Sequence, residues 1–216
     1  SLSALVLHYH IEGGYENHQQ LVFSPNTVTQ FNQLTHDRLD TPMEPYPLKK
    51  VEIPSADLGN RGLLFAGIGW YTRLEFPYLN NIMEQGEYVH IEKAGLKIYP
   101  EYGTYSDFNA LPDSIFLYIA DENNVVTDAV KDYLGKQVQG GKLVKDDLFL
   151  GNTYYYFDVT QFMKEELGAS GKYKHNLQLV FNSDDYTKTL KNLTFSAPNG
   201  QNPIILQLNY KIYESY

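Results

Sequence analysis

Cysteine is absent from the 216 residues. That absence excludes disulfides, thiolate metal sites and a cysteine nucleophile. It leaves the compartment open, because a large extracellular β-domain needs no disulfide. Basic residues are in deficit: 17 Lys and Arg stand against 26 Asp and Glu, a formal net charge of −9. This balance argues against the phosphate attraction on which nucleic-acid binding rests. It equally disfavours an anionic membrane surface. No apolar run reaches the roughly 18 residues that a membrane-spanning helix requires. Internal repeats and low-complexity tracts are lacking too, and hydrophobic residues at 43% are too many for a disordered chain.

Aromatic strand formers are abundant, with 19 Tyr and 11 Phe. Short strand-like segments recur with turn signals between them. They lie near 3–11, 20–24, 27–34, 63–68, 70–76, 88–99, 115–121, 124–127, 153–159, 175–181, 192–196 and 204–213. The clearest is the last: Ile204, Leu206, Leu208, Tyr210 and Ile212 share one face, with Gln207, Asn209 and Lys211 on the other. In 88–99 the apolar phase moves from Val89 and Ile91 to Ala94, Leu96 and Ile98, which predicts a β-bulge near Glu92 and Lys93. Trp70, Thr72, Leu74 and Phe76 share a phase that points the only tryptophan at the core.

Residues 153–163 read as a buried strand running into a short helix. Tyr155, Phe157 and Val159 fall on its inner face. The Thr160 hydroxyl is placed to cap a helix over 160–168, with Phe162, Met163 and Leu167 as apolar contacts and Gly168 at the end. A second helix is expected over 127–135, capped by Thr127 or Asp128 and stopped by Gly135. The proline-rich stretch 36–62 reads as a long irregular connection. Many short strands without alternating helices make an all-β fold: an antiparallel β-sandwich with one or two short helices. Nothing divides the chain convincingly, so residues 1–216 read as a single sandwich domain. The chain opens inside an apparent strand, with Leu5, Leu7, Tyr9 and Ile11 in alternation, and is expected to be the C-terminal part of a longer protein.

Four segments carry a resemblance. Arg73-Leu74-Glu75-Phe76 is followed by Ile91-Glu92-Lys93-Ala94-Gly95-Leu96-Lys97-Ile98-Tyr99. Then come Tyr156-Phe157-Asp158-Val159-Thr160 and Pro203-Ile204-Ile205-Leu206-Gln207-Leu208-Asn209-Tyr210. In that order they resemble the DNRLRE-type, carbohydrate-binding-like jelly-roll domains of secreted bacterial proteins. With Phe31-Asn32-Gln33-Leu34-Thr35-His36-Asp37 ahead of them, they resemble more closely a family of uncharacterised Gram-negative surface lipoproteins. The resemblance implies a jelly roll, an extracytoplasmic setting at the outer membrane or cell surface, and a lipid anchor upstream of this chain. It brings no activity and no functional residue.

Chemistry-bearing groupings are sparse. His8 and His10 share one strand face, but no spacing of His18, His36, His90 or His175 supplies the further ligand a zinc site needs. His36-Asp37 has no serine in a nucleophile elbow to serve, and reads as hydrogen bonding within the 36–62 connection. Asp121-Glu122-Asn123-Asn124, Asp146-Asp147 and Asp184-Asp185 offer the oxygens calcium prefers, and jelly rolls often hold one calcium structurally. None follows an EF-hand loop, and turn chemistry accounts for Asn123-Asn124 and Asp184-Asp185. Among 26 acidic residues no pair is singled out as the two carboxylates of a glycosidase.

The loop 100–114 is the candidate site. Tyr102, Tyr105 and Phe108 offer rings, and Asp107 and Asn109 offer hydrogen bonds, the two things a pyranose needs from its binder. The same rings would also serve to pin the loop onto the sandwich. The expectation is therefore a non-catalytic surface domain of a bacterial lipoprotein, with glycan as candidate ligand. A structural or assembly module that contacts another envelope protein is the alternative, and a glycoside-active enzyme comes third. No cofactor, metal or nucleic acid is expected, and the membrane enters only through the anchor.

Overall fold

The structure is a computed structural model that describes residues 4–10, 18–24, 35, 37–47, 51–131, 134–135, 138–146, 152–168, 175–196 and 203–213. Read as one domain from sequence, the chain clusters into two compact units, Ser1–Asp37 and Arg38–Tyr216. The first contains an antiparallel hairpin of β1 (Leu5–His10) and β2 (His18–Phe23), in register from Leu5 opposite Phe23 to His10 opposite His18. The Tyr9 hydroxyl donates to Gln19 Oε1 at 2.8 Å across that pair. The expected strand over 27–34 and most of the Phe31–Asp37 motif lie outside the described residues.

The second unit is an antiparallel β-sandwich, the jelly-roll-like architecture expected. Its strands are β3 (Arg61–Phe65), β4 (Thr72–Leu74), β5 (Tyr88–Ile98), β6 (Ser114–Ala120), β7 (Val126–Ala129), β8 (Gly140–Val144), β9 (Tyr154–Asp158), β10 (Asn176–Val180), β11 (Asn192–Ser196) and β12 (Ile205–Tyr213). Among the described residues it also carries two α-helices, α1 (Thr160–Gly168) and α2 (Ser183–Lys188), and short 3-10 turns at Ser55–Leu58 and Leu79–Gln85. The large sheet has eight strands in the order β12-β5-β9-β8-β6-β10-β4, with β7 also on β6; β11 and β3 form a separate ribbon. An isolated bridge between Pro100 and Phe195 ties the end of β5 to that ribbon.

Strand alternation sends one set of side chains into a continuous core. Ala94, Leu96 and Ile98 enter from β5, Ile115 and Leu117 from β6, Tyr155 and Phe157 from β9, Leu177 and Leu179 from β10. Leu64, Leu193 and Phe195 of the ribbon join the same cluster. Close approach of strands requires glycine at two places. A Cβ on Gly141 would lie 2.2 Å from the Phe157 ring, and one on Gly62 would lie 2.2 Å from the Phe195 ring. The Tyr155 hydroxyl donates to the Pro112 carbonyl at 2.6 Å inside the core. Burial first, then the charge of Asp113, pushes its ionisation well above the ordinary tyrosine value.

The strand-to-helix reading of 153–168 holds: Phe157 and Val159 are fully buried, and Phe162, Met163 and Leu167 are buried from α1. Phe162 packs on Phe76 with ring centroids 6.5 Å apart. The cap differs from expectation. The Thr160 hydroxyl accepts the Ala94 N–H of β5 at 2.9 Å, while the Asp158 carboxylate takes the Thr160 N–H at 2.9 Å. Threonine therefore fastens α1 to the sheet, and the preceding aspartate serves the helix start. The bulge is where the phase shift put it. Lys93 pairs with Asn209 and Ile91 with Tyr210, so Glu92 is the extra residue.

Three expectations need correction. Residues 126–129 form β7, not a helix: Val126, Asp128 and Ala129 pair along β6, and Thr127 is the extra residue at a shift in register. The second helix is instead α2, whose start is capped by Asn182 accepting the Asp185 N–H at 2.6 Å. Asp184 and Asp185 thus occupy a helical first turn, where the helix dipole favours acids, rather than a turn. Trp70 is half-buried outside the core cluster, with the Arg38 guanidinium 5.4 Å from its ring centroid. β8 was missed in sequence.

Candidate ligand-binding face

The alternation that fills the core also decides what the outer face of the sheet carries. With Tyr155 and Phe157 turned inward, Tyr154 and Tyr156 of β9 face out. With Ala94, Leu96 and Ile98 inward, β5 presents Lys93, Gly95 and Lys97. β12 adds Gln207 and Asn209, and β8 adds Val144. These eight residues line a shallow open trough of about 450 Å³. Strand order brings them together from positions more than a hundred residues apart: β12, β5, β9 and β8 are successive neighbours.

Register fixes the geometry. Tyr156 stands between two lysines, opposite Lys97 of β5 on one side and Lys142 of β8 on the other. Tyr154 lies opposite Val144, Gly95 opposite both Asp158 and Gln207, and Lys93 opposite Asn209. Gly95 has a specific use here: a Cβ on it would sit 3.0 Å from Cε2 and Oη of Tyr156, so the missing side chain lets that ring lie down against the strand. Tyr154 packs on Tyr99, with centroids 5.5 Å apart. The Lys97 ammonium lies 5.0 Å from the Tyr154 centroid, a cation–π distance. The trough thus has two half-buried rings for a floor and amide and ammonium donors around them.

One carboxylate reaches this face from β9, and it is committed. Asp158 Oδ1 accepts both the N–H and the hydroxyl of Thr160, at 2.9 and 2.5 Å. The Gln139 side chain fills in for a strand at the same point, donating to the Asp158 carbonyl at 2.8 Å and accepting its N–H at 2.6 Å. Glu92 at the bulge is paired with Lys211, whose hydrogen bond first and charge second hold the carboxyl below its ordinary range.

The sequence-predicted residues lie together in the connection between β5 and β6, beyond Tyr99. Tyr102 is 70% exposed and Phe108 fully exposed; Asp107 is exposed and Tyr105 half-buried. Asn109 is a fastener: its amide donates to the Thr104 carbonyl and to Asn192 Oδ1 of β11, both at 3.0 Å. The loop is therefore held by Asn109 and by the Glu101 N–H on the Thr194 carbonyl at 2.8 Å, while Tyr102 and Phe108 project. Among the described residues the trough is a second aromatic surface, which sequence reading did not assemble.

No family model, curated protein or solved structure matches this chain.

The remaining polar groupings are accounted for by structure. Asp121 Oδ1 accepts the N–H groups of Asn123 and Val125 at 2.9 and 2.8 Å, the turn chemistry expected of that cluster. Arg73 binds Glu52 at 2.8 Å and Glu75 at 2.7 Å, and its guanidinium also reaches Asn124 at 3.2 Å. Glu166, buried, accepts from His175 Nδ1 at 2.5 Å and from its backbone N–H at 3.1 Å, closing the connection from α1 to β10. Asp146 accepts the Asn152 N–H at 3.3 Å; Asp147 and His36 lie outside the described residues, as do the side chains of His10 and His18. No group of three or more His, Asp or Glu positioned for a metal occurs among the described residues.

Proposed function

We propose that this chain is a non-catalytic, extracytoplasmic domain of a bacterial surface lipoprotein that binds glycan. The carrying observation is the trough on the outer sheet face, where Tyr154 and Tyr156 lie among Lys93, Lys97, Gln207 and Asn209. A pyranose ring has an apolar face that stacks on an aromatic ring, and its hydroxyls need donors and acceptors beside it. Both are held on paired strands rather than on mobile loops, so the platform is formed before ligand arrives. Its shallow, open form suits a polymer lying across the sheet. A non-catalytic role is supported by Asp158, whose carboxylate is engaged by Thr160 rather than poised opposite a second acid.

The projecting Tyr102 and Phe108 are a second contact zone in the same reading, since the β5 strand that forms the trough runs into their loop. The test is a glycan array, followed by titration of the best hit against Tyr156→Ala and against a Tyr102→Ala, Phe108→Ala double variant. Binding lost in Tyr156→Ala with an unchanged melting temperature supports the trough. Loss only in the loop variant moves the site to 100–114, and an array with no hit removes the glycan reading.

One observation favours the assembly-module reading. β12 is a nine-residue strand at the end of the sheet order, with Ile205, Ile212 and Tyr213 exposed. Such an edge accepts a further strand. Co-purification of a partner that protects the β12 amides from hydrogen exchange would select it.

A further inference from the structure

We infer that the glycan taken by this face is acidic, carrying carboxylate or sulfate groups along its chain. The inference rests on the glycan reading above and narrows it to a class. Its observation is the charge of the face. Lys93, Lys97 and Lys142 all stand on the outer side of β5 and β8, within the trough or directly beside Tyr156. Lys131, Lys188, Lys191 and Lys211 of this unit each have an acidic partner. Among the described residues, Lys93, Lys97, Lys142, Lys145 and Lys164 have none, and the first three share this sheet face. In a chain of net charge −9, with acids in excess, three unpaired ammonium groups on one sheet face are a local reversal of sign.

Electrostatics then gives both attraction and orientation. The acidic remainder of the surface repels a polyanion, and this face draws it in. A neutral glycan would gain hydrogen bonds from the lysines but none of the charge attraction. It would even have to tolerate partial desolvation of Lys97, which is half-buried against the Tyr154 ring. Spacing separates a polymer from a small anion. Lys97 and Lys142 stand two strands apart with Tyr156 between them, about 10 Å at the usual strand separation. Lys93 lies two pleat repeats from Lys97 along β5, past Gly95 and opposite Asn209. Three separated charges around two rings match repeated anionic groups on successive sugars better than they match one phosphate or sulfate ion. The acids nearest these lysines are already engaged: Thr160 occupies Oδ1 of Asp158, and Lys211 pairs with Glu92.

The experiment uses the full 216-residue chain and matched probes: polygalacturonate against its methyl ester, and dextran sulfate against dextran. Affinity gel electrophoresis and calorimetry read binding. The expected result is binding to an acidic probe that weakens at least about tenfold on esterification or desulfation and weakens again with salt. A Lys97→Gln, Lys142→Gln variant should lose about tenfold in affinity while its melting temperature stays with the parent. Neutral and acidic probes bound alike, with loss in Tyr156→Ala but not in the lysine variant, would overturn the acidic class and leave the glycan reading intact. Acidic binding undiminished in the lysine variant would overturn the assignment to this face. No binding to any of the four probes, with no hit on the glycan array, would overturn both readings.

Discussion

Gly141→Ala places a methyl group inside a closed core. The new Cβ would lie 2.2 Å from Cζ of Phe157, 2.5 Å from Cε2 and 2.6 Å from Cε1. Carbon atoms rest at about 3.5–4.0 Å, so ring and strand must separate by more than about 1 Å. Neither has room, because Phe157 is 0% exposed and sits within the core cluster. Overpacking of this kind costs about 1–3 kcal/mol. Gly141 has no positive φ, so alanine is not strained by the backbone itself. Phe157→Ala alone should cost about 3–5 kcal/mol. In that background the Gly141→Ala methyl enters vacated space, and its cost should vanish. Urea unfolding of the parent, both single variants and the double variant closes the cycle. The expected coupling is at least about 1 kcal/mol, with the double variant more stable than the sum of the singles predicts. Additivity within about 0.5 kcal/mol would refute the packing of β8 glycine under the β9 ring.

Three further outcomes follow from the same packing and hydrogen bonds. Asn182→Ala removes the cap on α2 and should cost about 0.5–2 kcal/mol in urea unfolding, whereas loss of nothing would say the cap is idle. Burial raises the Tyr186 ionisation from 10.0 to about 12; a folded value above the unfolded one means its stabilisation is whole below pH 10 and is lost as pH rises towards 12. An alkaline unfolding series should therefore be flat up to about pH 10 and fall beyond it, and Tyr186→Phe should flatten part of that fall. Glu166→Gln should destabilise the parent by leaving His175 with a weaker partner, measured as a lower melting temperature near neutral pH; an unchanged value would show that the pair contributes nothing.

Much of the sandwich was legible because buried strands declare themselves by alternation. The β12 phase and the Glu92 bulge could be read directly, since an apolar pattern that changes face must insert a residue. β8 could not, because Gly140 and Gly141 have no side chains with which to show a pattern; what they show is only visible once Phe157 is placed over them. β7 was mistaken for a helix because Thr127, Asp128 and Gly135 imitate caps, and four residues are too few to show a period. The trough was half visible. Turning Tyr155 and Phe157 inward implied that Tyr154 and Tyr156 face out. That they meet Lys97, Lys142 and Asn209 depends on strand order, which no local pattern encodes. The loop aromatics were easier to find because their polar neighbours are adjacent in the chain, and the same adjacency left the fastening role of Asn109 open until β11 was placed beside it.

The most direct measurement of where ligand sits is an amide NMR titration of the intact chain with the best glycan from the array, or with polygalacturonate. The trough account predicts that the largest shift changes fall on residues 93–99, 142–144, 154–158 and 207–209, four separate stretches of sequence that only the sheet unites. Changes confined to 101–110, or spread without regard to the β12-β5-β9-β8 face, would contradict it.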